Sequence, residues 1–161
     1  MFGFGKNKVL KDDKFLYAPF DGNSFEMEKV SDPVFSKKIL GDGFAMTPES
    51  SQILSPVTGK VVLIEGHAVG LRRADGLEIL LHMGIDTVNL MGAPFILTIK
   101  LGDVVEGGQV LGRVDWNIIE QAGYEKTTLV IFTNGNDHLN SFDVNYGGAK
   151  AGARIGAASV K

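Results

Sequence analysis

The chain has 161 residues, of which 44% are apolar and 22% charged, and its 16 basic and 19 acidic side chains leave a net charge of −3. This size and composition predict one folded domain with a substantial core, and they exclude disorder as the main state and a strongly basic nucleic-acid-binding protein. The absence of cysteine excludes disulfides, thiolate metal sites and cysteine catalysis, and it is compatible with reducing, cytoplasmic surroundings.

The first 14 residues predict a mobile N-terminal tail ahead of a single β domain at residues 15–161. This tail carries four lysines among apolar residues, and its glycines break any clear period. An alternative is that residues 1–14 form an amphipathic segment that touches a membrane surface. No stretch of the chain has the ~20 consecutive apolar residues that span a bilayer, so we expect a soluble, cytoplasmic protein.

From residue 15 onward, short apolar runs alternate with turn sequences, which is typical of an all-β protein. Helical periodicity is weak outside two short segments. We therefore expect an antiparallel β-sandwich or barrel with short helical turns and no parallel β-α-β unit. The predicted strands include residues 60–64, 77–81, 95–101, 110–114 and 129–132, and the predicted helical turns are residues 33–40 and 117–122.

One turn sequence occurs twice. Ala18-Pro19-Phe20-Asp21-Gly22 recurs in outline as Ser55-Pro56-Val57-Thr58-Gly59, and this repeat predicts an internal duplication within the β domain. The hairpin sequence at residues 102–111 resembles that of lipoyl- and biotinyl-carrier barrels. The chain lacks the methionine-flanked lysine that those carriers present at a hairpin tip, so a modified-lysine function is not predicted.

The three histidines are the main candidates for chemistry at neutral pH. His138 lies in a turn sequence and is interpreted as a solvated loop residue. His82 ends an apolar strand, where it is either a core residue satisfied by a backbone carbonyl or a site residue. Gly84 favours a site, because it lets a backbone group bind one ring nitrogen and leave the other free. Only the turn at residues 74–76 separates this strand from that of His67, so the two rings can lie side by side.

Four motifs occur in an order that points to a known family: Asp32-Pro33-Val34-Phe35, Ser55-Pro56-Val57-Thr58-Gly59, His67-Ala68-Val69-Gly70-Leu71 and His82-Met83-Gly84-Ile85-Asp86-Thr87-Val88. Together they resemble the glucose-family enzyme IIA domain of the bacterial phosphoenolpyruvate sugar phosphotransferase system. The resemblance covers about residues 17–134. Residues 122–128 look more like β-glucoside-type members, so the class of sugar stays open.

The resemblance implies a phosphocarrier that accepts a phosphoryl group from HPr on His82 and passes it to a cysteine of a IIB domain or IIBC permease. It implies that His67 binds the phosphoryl oxygens, that Gly84 and Asp86 support the site, and that no cofactor is required. An apolar docking surface should surround the histidines, although large apolar side chains more often fill a core. The candidate docking residues are Phe44, Val69, Leu81, Val88 and Leu90.

The chain departs from the family pattern in three places. Glu65 stands where the family often has a threonine, two residues before His67. The segment from Gly59 to His67 is about two residues shorter than usual. A carboxylate would repel a phosphoryl group, so we expect Glu65 to point to solvent. Thr128 precedes the late strand where a proline is usual. Residues 147–161 include nine glycines or alanines, which predicts a loose C-terminus.

Two other functions stay open on the sequence. A zinc hydrolase could use His67, His82 and Asp86 as ligands, although related enzymes usually carry a His-x-His pair that this chain lacks. The paired histidines could also bind zinc adventitiously. A regulatory binding module, whose phosphorylation state controls other enzymes or transporters, would use the same surface.

Overall fold

The computed structural model describes residues 8–161, so residues 1–7 lie outside the described residues, as does their part in the membrane contact considered as an alternative for residues 1–14. Within the described part no helix has the length and hydropathy needed to cross a bilayer. The short helices of this part are α1 (Pro33–Ser36), α2 (Trp116–Gln121) and α3 (Gly135–His138), with 3-10 turns at Met27–Lys29 and Thr87–Leu90. Its strands are β1 (Phe15–Tyr17), β2 (Gly22–Glu26), β3 (Asp42–Pro48), β4 (Gln52–Leu54), β5 (Gly59–Glu65), β6 (Ala68–Arg72), β7 (Glu78–His82), β8 (Phe95–Leu97), β9 (Val104–Val105), β10 (Val110–Val114), β11 (Thr128–Phe132), β12 (Leu139–Val144), β13 (Gly147–Ala149) and β14 (Arg154–Val160).

The strands of the described residues form three sheets around one main apolar core. The largest sheet has the order β13-β2-β3-β11-β7-β6-β5-β9, and two three-stranded sheets have the orders β1-β14-β12 and β4-β10-β8. All of these strand pairs are antiparallel. Alternate side chains of β3, β6 and β7 point into this core, which explains the short apolar runs of the sequence. The predicted all-β antiparallel sandwich is confirmed.

The predicted duplication is visible as reciprocal hydrogen bonds between the two repeated turns. The Tyr17 amide donates to the Pro56 carbonyl at 2.9 Å, and the Leu54 amide donates to the Pro19 carbonyl at 2.8 Å. One copy is contiguous, from β4 to β10, whereas the other is divided into β1–β3 and β11–β14. The two copies meet in the large sheet, where β7 pairs with β11.

The connection between β2 and β3 covers the outer face of the large sheet. It contains α1, which begins at Pro33 and is capped by Asp32, whose side chain accepts a hydrogen bond from the Val34 amide at 2.8 Å. The helix buries Phe35 in a second apolar cluster on this face. It is shorter than predicted, because the chain leaves the helical conformation at Lys38, where φ is 58°.

Residues 8–14 lie against the domain, so the predicted tail does not extend over them. Asp13 accepts a hydrogen bond from the Thr58 hydroxyl at 2.7 Å. Lys14 forms an ion pair with Asp75 at 2.8 Å, and the buried Asp75 carboxylate has a strongly lowered pKa because Arg73 and Lys14 outweigh the cost of burial. These contacts attach the segment to two different turns of the fold.

The C-terminal segment forms regular structure, and the prediction of a loose C-terminus is wrong. β14 is the central strand of its sheet, paired on one side with β1 and on the other with β12. Its small residues allow close packing, since a Cβ at Gly156 would overlap the carbonyl oxygen of Asp143. Backbone ladders on both sides hold this strand, and bulky β-branched side chains are not needed for it.

Candidate active site

The large sheet brings His67 and His82 together. β5 and β6 are joined by a tight hairpin with Gly66 and His67 at its tip, and His82, the last residue of β7, pairs with Ala68 on β6. The Met83 amide donates to the His67 carbonyl at 2.8 Å, which attaches the hairpin tip to the end of β7. The two imidazole centroids are 4.9 Å apart with ring planes at 76°. The structure therefore places the two histidines side by side, as their spacing predicts.

Gly84 determines which nitrogen of His82 is free. Nδ1 of His82 lies 2.8 Å from the carbonyl oxygen of Gly84. A carbonyl oxygen only accepts hydrogen bonds, so Nδ1 must be the donor in this contact and carry the hydrogen. In the neutral ring Nε2 then keeps its lone pair and can act as a nucleophile or a metal ligand.

The turn after β7 requires glycine at position 84. Gly84 has a φ of +84°, and a Cβ there would overlap the Cγ2 atom of Thr87. Thr87 is fully buried and its hydroxyl donates to the Met83 carbonyl at 2.7 Å, so it has little freedom to move aside. The position of the Gly84 carbonyl, and with it the orientation of the His82 ring, depends on this packing.

The surroundings of His82 keep its ring neutral. Burial lowers the pKa of His82 below its usual value of 6.5, and the neighbouring His67 lowers it further. The hydrogen bond to Gly84 and the carboxylates of Asp32 and Asp86 act in the opposite direction without cancelling the decrease. At pH 7 the form with a lone pair on Nε2 therefore predominates, and this form can attack an electrophile.

Phe35 is a residue of the site that the sequence interpretation missed. Its side chain is only 6% exposed, and its ring centroid lies 5.1 Å from that of His82 at an angle of 58°. The Asp32-Pro33 pair indicates where α1 begins. No local pattern indicates that this helix packs over the end of β7, because the contact joins two elements that are far apart in the chain.

A small acidic pocket contains the two carboxylates that act on the pKa of His82. Its cavity of about 190 Å³ is lined in part by Asp32, Asp86 and Glu125. Asp86 is exposed and has a left-handed backbone with φ of 63°, whereas the carboxylate of Glu125 accepts a hydrogen bond from Ser31 at 2.9 Å. Three carboxylates at one edge of the site favour a partner that carries positive charge.

The departures of the sequence before His67 do not disturb the histidine pair. Glu65 is exposed, as predicted. It ends β5, and the chain reverses over Gly66 and His67 so that Ala68 pairs with Glu65. The shorter segment therefore closes in a tight hairpin that carries His67 at its tip.

Three of the predicted docking residues are buried, so this prediction is wrong for them. Phe44, Val69 and Leu81 are each 0% exposed and belong to the main core. Val69 and Leu81 are cross-strand neighbours, and Leu81 points to the face of the sheet opposite to that of His82 because side chains alternate along β7. Leu90 is only partly buried and packs against the core, and Val88 is 56% exposed.

Other apolar side chains are exposed on the segment that contains α1 and on the turn that follows Asp86. Val34 lies on α1, the helix that packs against His82, and Ile39 follows that helix. Val88 and Met91 belong to the turn that follows Asp86. These four residues are all exposed, and we call them the docking surface after the role proposed for them below: Val34 (41%), Ile39 (66%), Val88 (56%) and Met91 (92%).

The three-ligand zinc site considered from the sequence is not formed. Among residues 8–161 no group of three or more histidine, cysteine, aspartate or glutamate side chains is arranged to hold a metal ion. The pairing of His67 with His82 is therefore not completed by Asp86 as a third ligand.

The fold and the site define a class of protein: a duplicated antiparallel β-sandwich with a neutral histidine beside a second imidazole. Residues 14–138 match the family described as phosphoenolpyruvate-dependent sugar phosphotransferase system, EIIA 1. The chain belongs to this family, and it is a phosphocarrier component of a sugar phosphotransferase system. Neither the zinc hydrolase nor the regulatory module is favoured by these similarities.

The relatives of the chain include proteins of similar length and a much longer protein. The chain is 36% identical over 146 residues to the glucose-specific EIIA component of Staphylococcus aureus strain Mu50, covering 88% of each chain. It is 41% identical over 148 residues to the glucose-specific EIICBA component of Streptococcus pneumoniae, covering 91% of this chain and only 20% of that protein. The structure of the glucose permease IIA from Mycoplasma capricolum matches with a TM-score of 0.78 and 36% identity, covering 91% of this chain and 95% of that one.

Proposed function

We propose that Nε2 of His82 accepts a phosphoryl group from phosphorylated HPr and passes it to the cysteine of a IIB domain. The observation that carries this proposal is the 2.8 Å contact from Nδ1 of His82 to the carbonyl oxygen of Gly84, because it leaves Nε2 as the free nucleophile. Membership of the EIIA family supports the carrier role. The relative that joins EIIA with EIIB and EIIC segments supports partners of the IIB and IIBC kinds.

The proposed transfer consists of two displacements at the phosphorus atom. The lone pair of Nε2 attacks the phosphorus atom, the bond from phosphorus to the donor breaks, and its electron pair returns to the donor. In the second step a cysteine thiolate of the IIB partner attacks the same phosphorus, and the electron pair of the P–N bond returns to Nε2. No cofactor is required, because positioning and charge neutralisation supply most of the catalysis in phosphoryl transfer.

We assign His67 the role of stabilising the transferred group. Its ring stands edge-to-face against His82 with centroids 4.9 Å apart, so an N–H of His67 can reach oxygens of a phosphoryl group on Nε2. The hydrogen bond from this N–H would be strongest in the transition state, when negative charge spreads over the phosphoryl oxygens. Gly84 supports the site through its carbonyl, and Asp86 contributes negative charge at the edge where a partner docks.

Phosphorylation by a reconstituted donor system tests the proposed function. The protein is incubated with phosphoenolpyruvate, enzyme I and HPr, and its intact mass is measured. We expect the mass of one phosphoryl group to be added and then lost when a IIB domain is supplied. A protein that stays unmodified beside a well-phosphorylated HPr would contradict the proposal.

The docking surface should contribute to recognition of both partners. Val88→Asp places a charge in the middle of an apolar contact, and we expect KM for phosphorylated HPr to rise about tenfold with a smaller change in kcat. Val110→Asp is the matched control, since Val110 is 41% exposed but lies in the small β4-β10-β8 sheet, which carries neither histidine. Equal effects of the two substitutions in steady-state assays would remove Val88 from the docking surface.

The family relatives that are named as glucose-specific support glucose as the sugar whose uptake is coupled to this carrier. The proposed reactions place the protein in the cytoplasm, where phosphoenolpyruvate is made and used. Control of other enzymes or transporters by the phosphorylation state of His82 stays a prediction.

We also propose that His67 and His82 can hold zinc between them. Two imidazoles with centroids 4.9 Å apart offer two nitrogen ligands, and water or a partner would have to complete a four-coordinate site. Zinc on Nε2 of His82 would block the nucleophile, so we expect added Zn²⁺ to slow phosphorylation and EDTA to restore it. The initial rate of phosphorylation at increasing Zn²⁺ measures this, and a rate that does not depend on Zn²⁺ while HPr itself is phosphorylated normally would contradict it.

A further inference from the structure

We propose that Met91 is a reversible oxidation site whose oxidation slows phosphoryl transfer. This inference rests on the proposed function, since its consequence is a change in the docking of the phosphoryl donor. The oxidant in this reaction is a peroxide, which transfers an oxygen atom to the thioether of Met91.

Burial makes Met91 the selective target among the methionines of the described residues. Met27, Met46 and Met83 are each 0% exposed, whereas Met91 is 92% exposed, the largest value among the exposed apolar side chains of residues 8–161. The chain has no cysteine that would consume an oxidant first. Because oxidation of methionine follows exposure, Met91 should react well before the three buried methionines.

The fold holds Met91 close to the histidine pair. The backbones of Gly66 and Gly92 are in contact, since a Cβ on Gly66 would lie only 2.7 Å from the Cα of Gly92. His67 follows Gly66 in the chain and Met91 precedes Gly92. Since successive α-carbons are about 3.8 Å apart, this contact keeps the α-carbons of Met91 and His67 within about 12 Å of each other.

The distance between Met91 and His67 is smaller than the radius of a typical protein interface. A standard protein interface buries about 800 Å² on each partner, which corresponds to a disc of roughly 16 Å radius. An interface of this size centred on His67 would therefore include Met91. The thioether is a flexible apolar group in this position, and it adapts to different partner surfaces.

Oxidation changes the chemistry of this contact. An oxygen atom passes from hydrogen peroxide to the sulfur, which is oxidised from thioether to sulfoxide, while the peroxide is reduced to water. The sulfoxide is polar and accepts hydrogen bonds, so it must be desolvated when the partner docks. Methionine sulfoxide reductases convert it back to the thioether, which makes the modification reversible.

The experiment uses the whole chain, dilute hydrogen peroxide and phosphorylated HPr as the probe. Peptide mass mapping after a short exposure should show Met91 oxidised at least about tenfold faster than Met27, Met46 and Met83. Peptide mass mapping also distinguishes oxidation of Met91 from oxidation of Met1, which lies outside the described residues. The initial rate of phosphorylation at limiting donor should fall about three- to tenfold and recover after treatment with the reductases.

Met91→Leu provides the control, because leucine keeps the apolar contact and cannot be oxidised. Each protein is compared with its own rate before peroxide, and we expect this ratio to stay near one for Met91→Leu. Met91→Gln should be slow from the start, like the oxidised protein. The inference is overturned if Met91 reacts no faster than the buried methionines, if its oxidation leaves the rate unchanged, or if Met91→Leu loses activity equally. Absence of phosphorylation before any peroxide would instead contradict the proposed function.

Discussion

His82→Gln is expected to lower phosphorylation by HPr at least about 10³-fold, because it removes the ring nitrogen that the contact with Gly84 leaves free for attack. Glutamine is similar in size, and the histidine is half-buried at the end of β7, so the fold should persist. Intact mass after incubation with the donor system measures the loss, and circular dichroism checks the fold. Phosphorylation of His82→Gln at the wild-type rate would assign the acceptor role to another residue.

The other two histidines supply matched controls for this substitution. His67→Gln should still be phosphorylated, but roughly 10²-fold more slowly, because a donor to the phosphoryl oxygens is lost while the nucleophile remains. His138→Gln should behave as the wild type, since His138 is exposed in α3 and lies beside Gly76, at the turn that precedes β7, whereas His82 ends that strand. If His67→Gln abolishes acceptance and His82→Gln does not, the two roles are reversed.

Gly84→Ala is expected to destabilise the protein by about 2–4 kcal/mol and to slow phosphorylation at least tenfold. The new Cβ would overlap Thr87, and alanine is also unfavourable at a φ of +84°. Relief of the overlap must move the backbone that carries the Gly84 carbonyl, so the hydrogen bond to Nδ1 of His82 is weakened. Urea denaturation gives the free energy of unfolding, and initial rates below the unfolding transition give the effect on transfer.

Gly102→Ala separates the effect of the overlap with Thr87 from the effect of a left-handed backbone. Gly102 has a comparable φ of +91°, but a Cβ there would have nothing within 4 Å. This control should lose only about 1 kcal/mol of stability through the left-handed backbone and should keep the wild-type rate of phosphorylation. If Gly84→Ala is no less stable and no slower than Gly102→Ala, the packing of Gly84 against Thr87 does not orient His82.

The docking surface shows where prediction from the sequence fails. Phe44, Val69 and Leu81 were as suitable by residue type as Val88, yet only Val88 is exposed. The large sheet carries apolar side chains on both faces, so the exposure of each side chain depends on what covers its face. The inner face is covered by the two small sheets, whereas α1 covers only part of the outer face, and hydrophobicity alone contains no information about that difference.

The sequence by itself determined the all-β class, the duplication and the identity of the two histidines, because these depend on local signals. Alternating apolar residues define strands, repeated Pro and Gly define equivalent turns, and histidines between glycines near strand ends indicate a site. The strand predicted at residues 110–114 agrees with β10, and the duplicated turns form reciprocal hydrogen bonds.

Only the tertiary structure decided which nitrogen of His82 is free, that Phe35 packs against this ring and that Met91 is exposed. It also decided that β14 is a central strand although its composition predicted a loose segment. Each of these features depends on contacts between residues that are distant in the chain or on the path of the backbone through a turn. Local composition does not encode such contacts, because they exist only after the sheets have paired and the connections have packed across them.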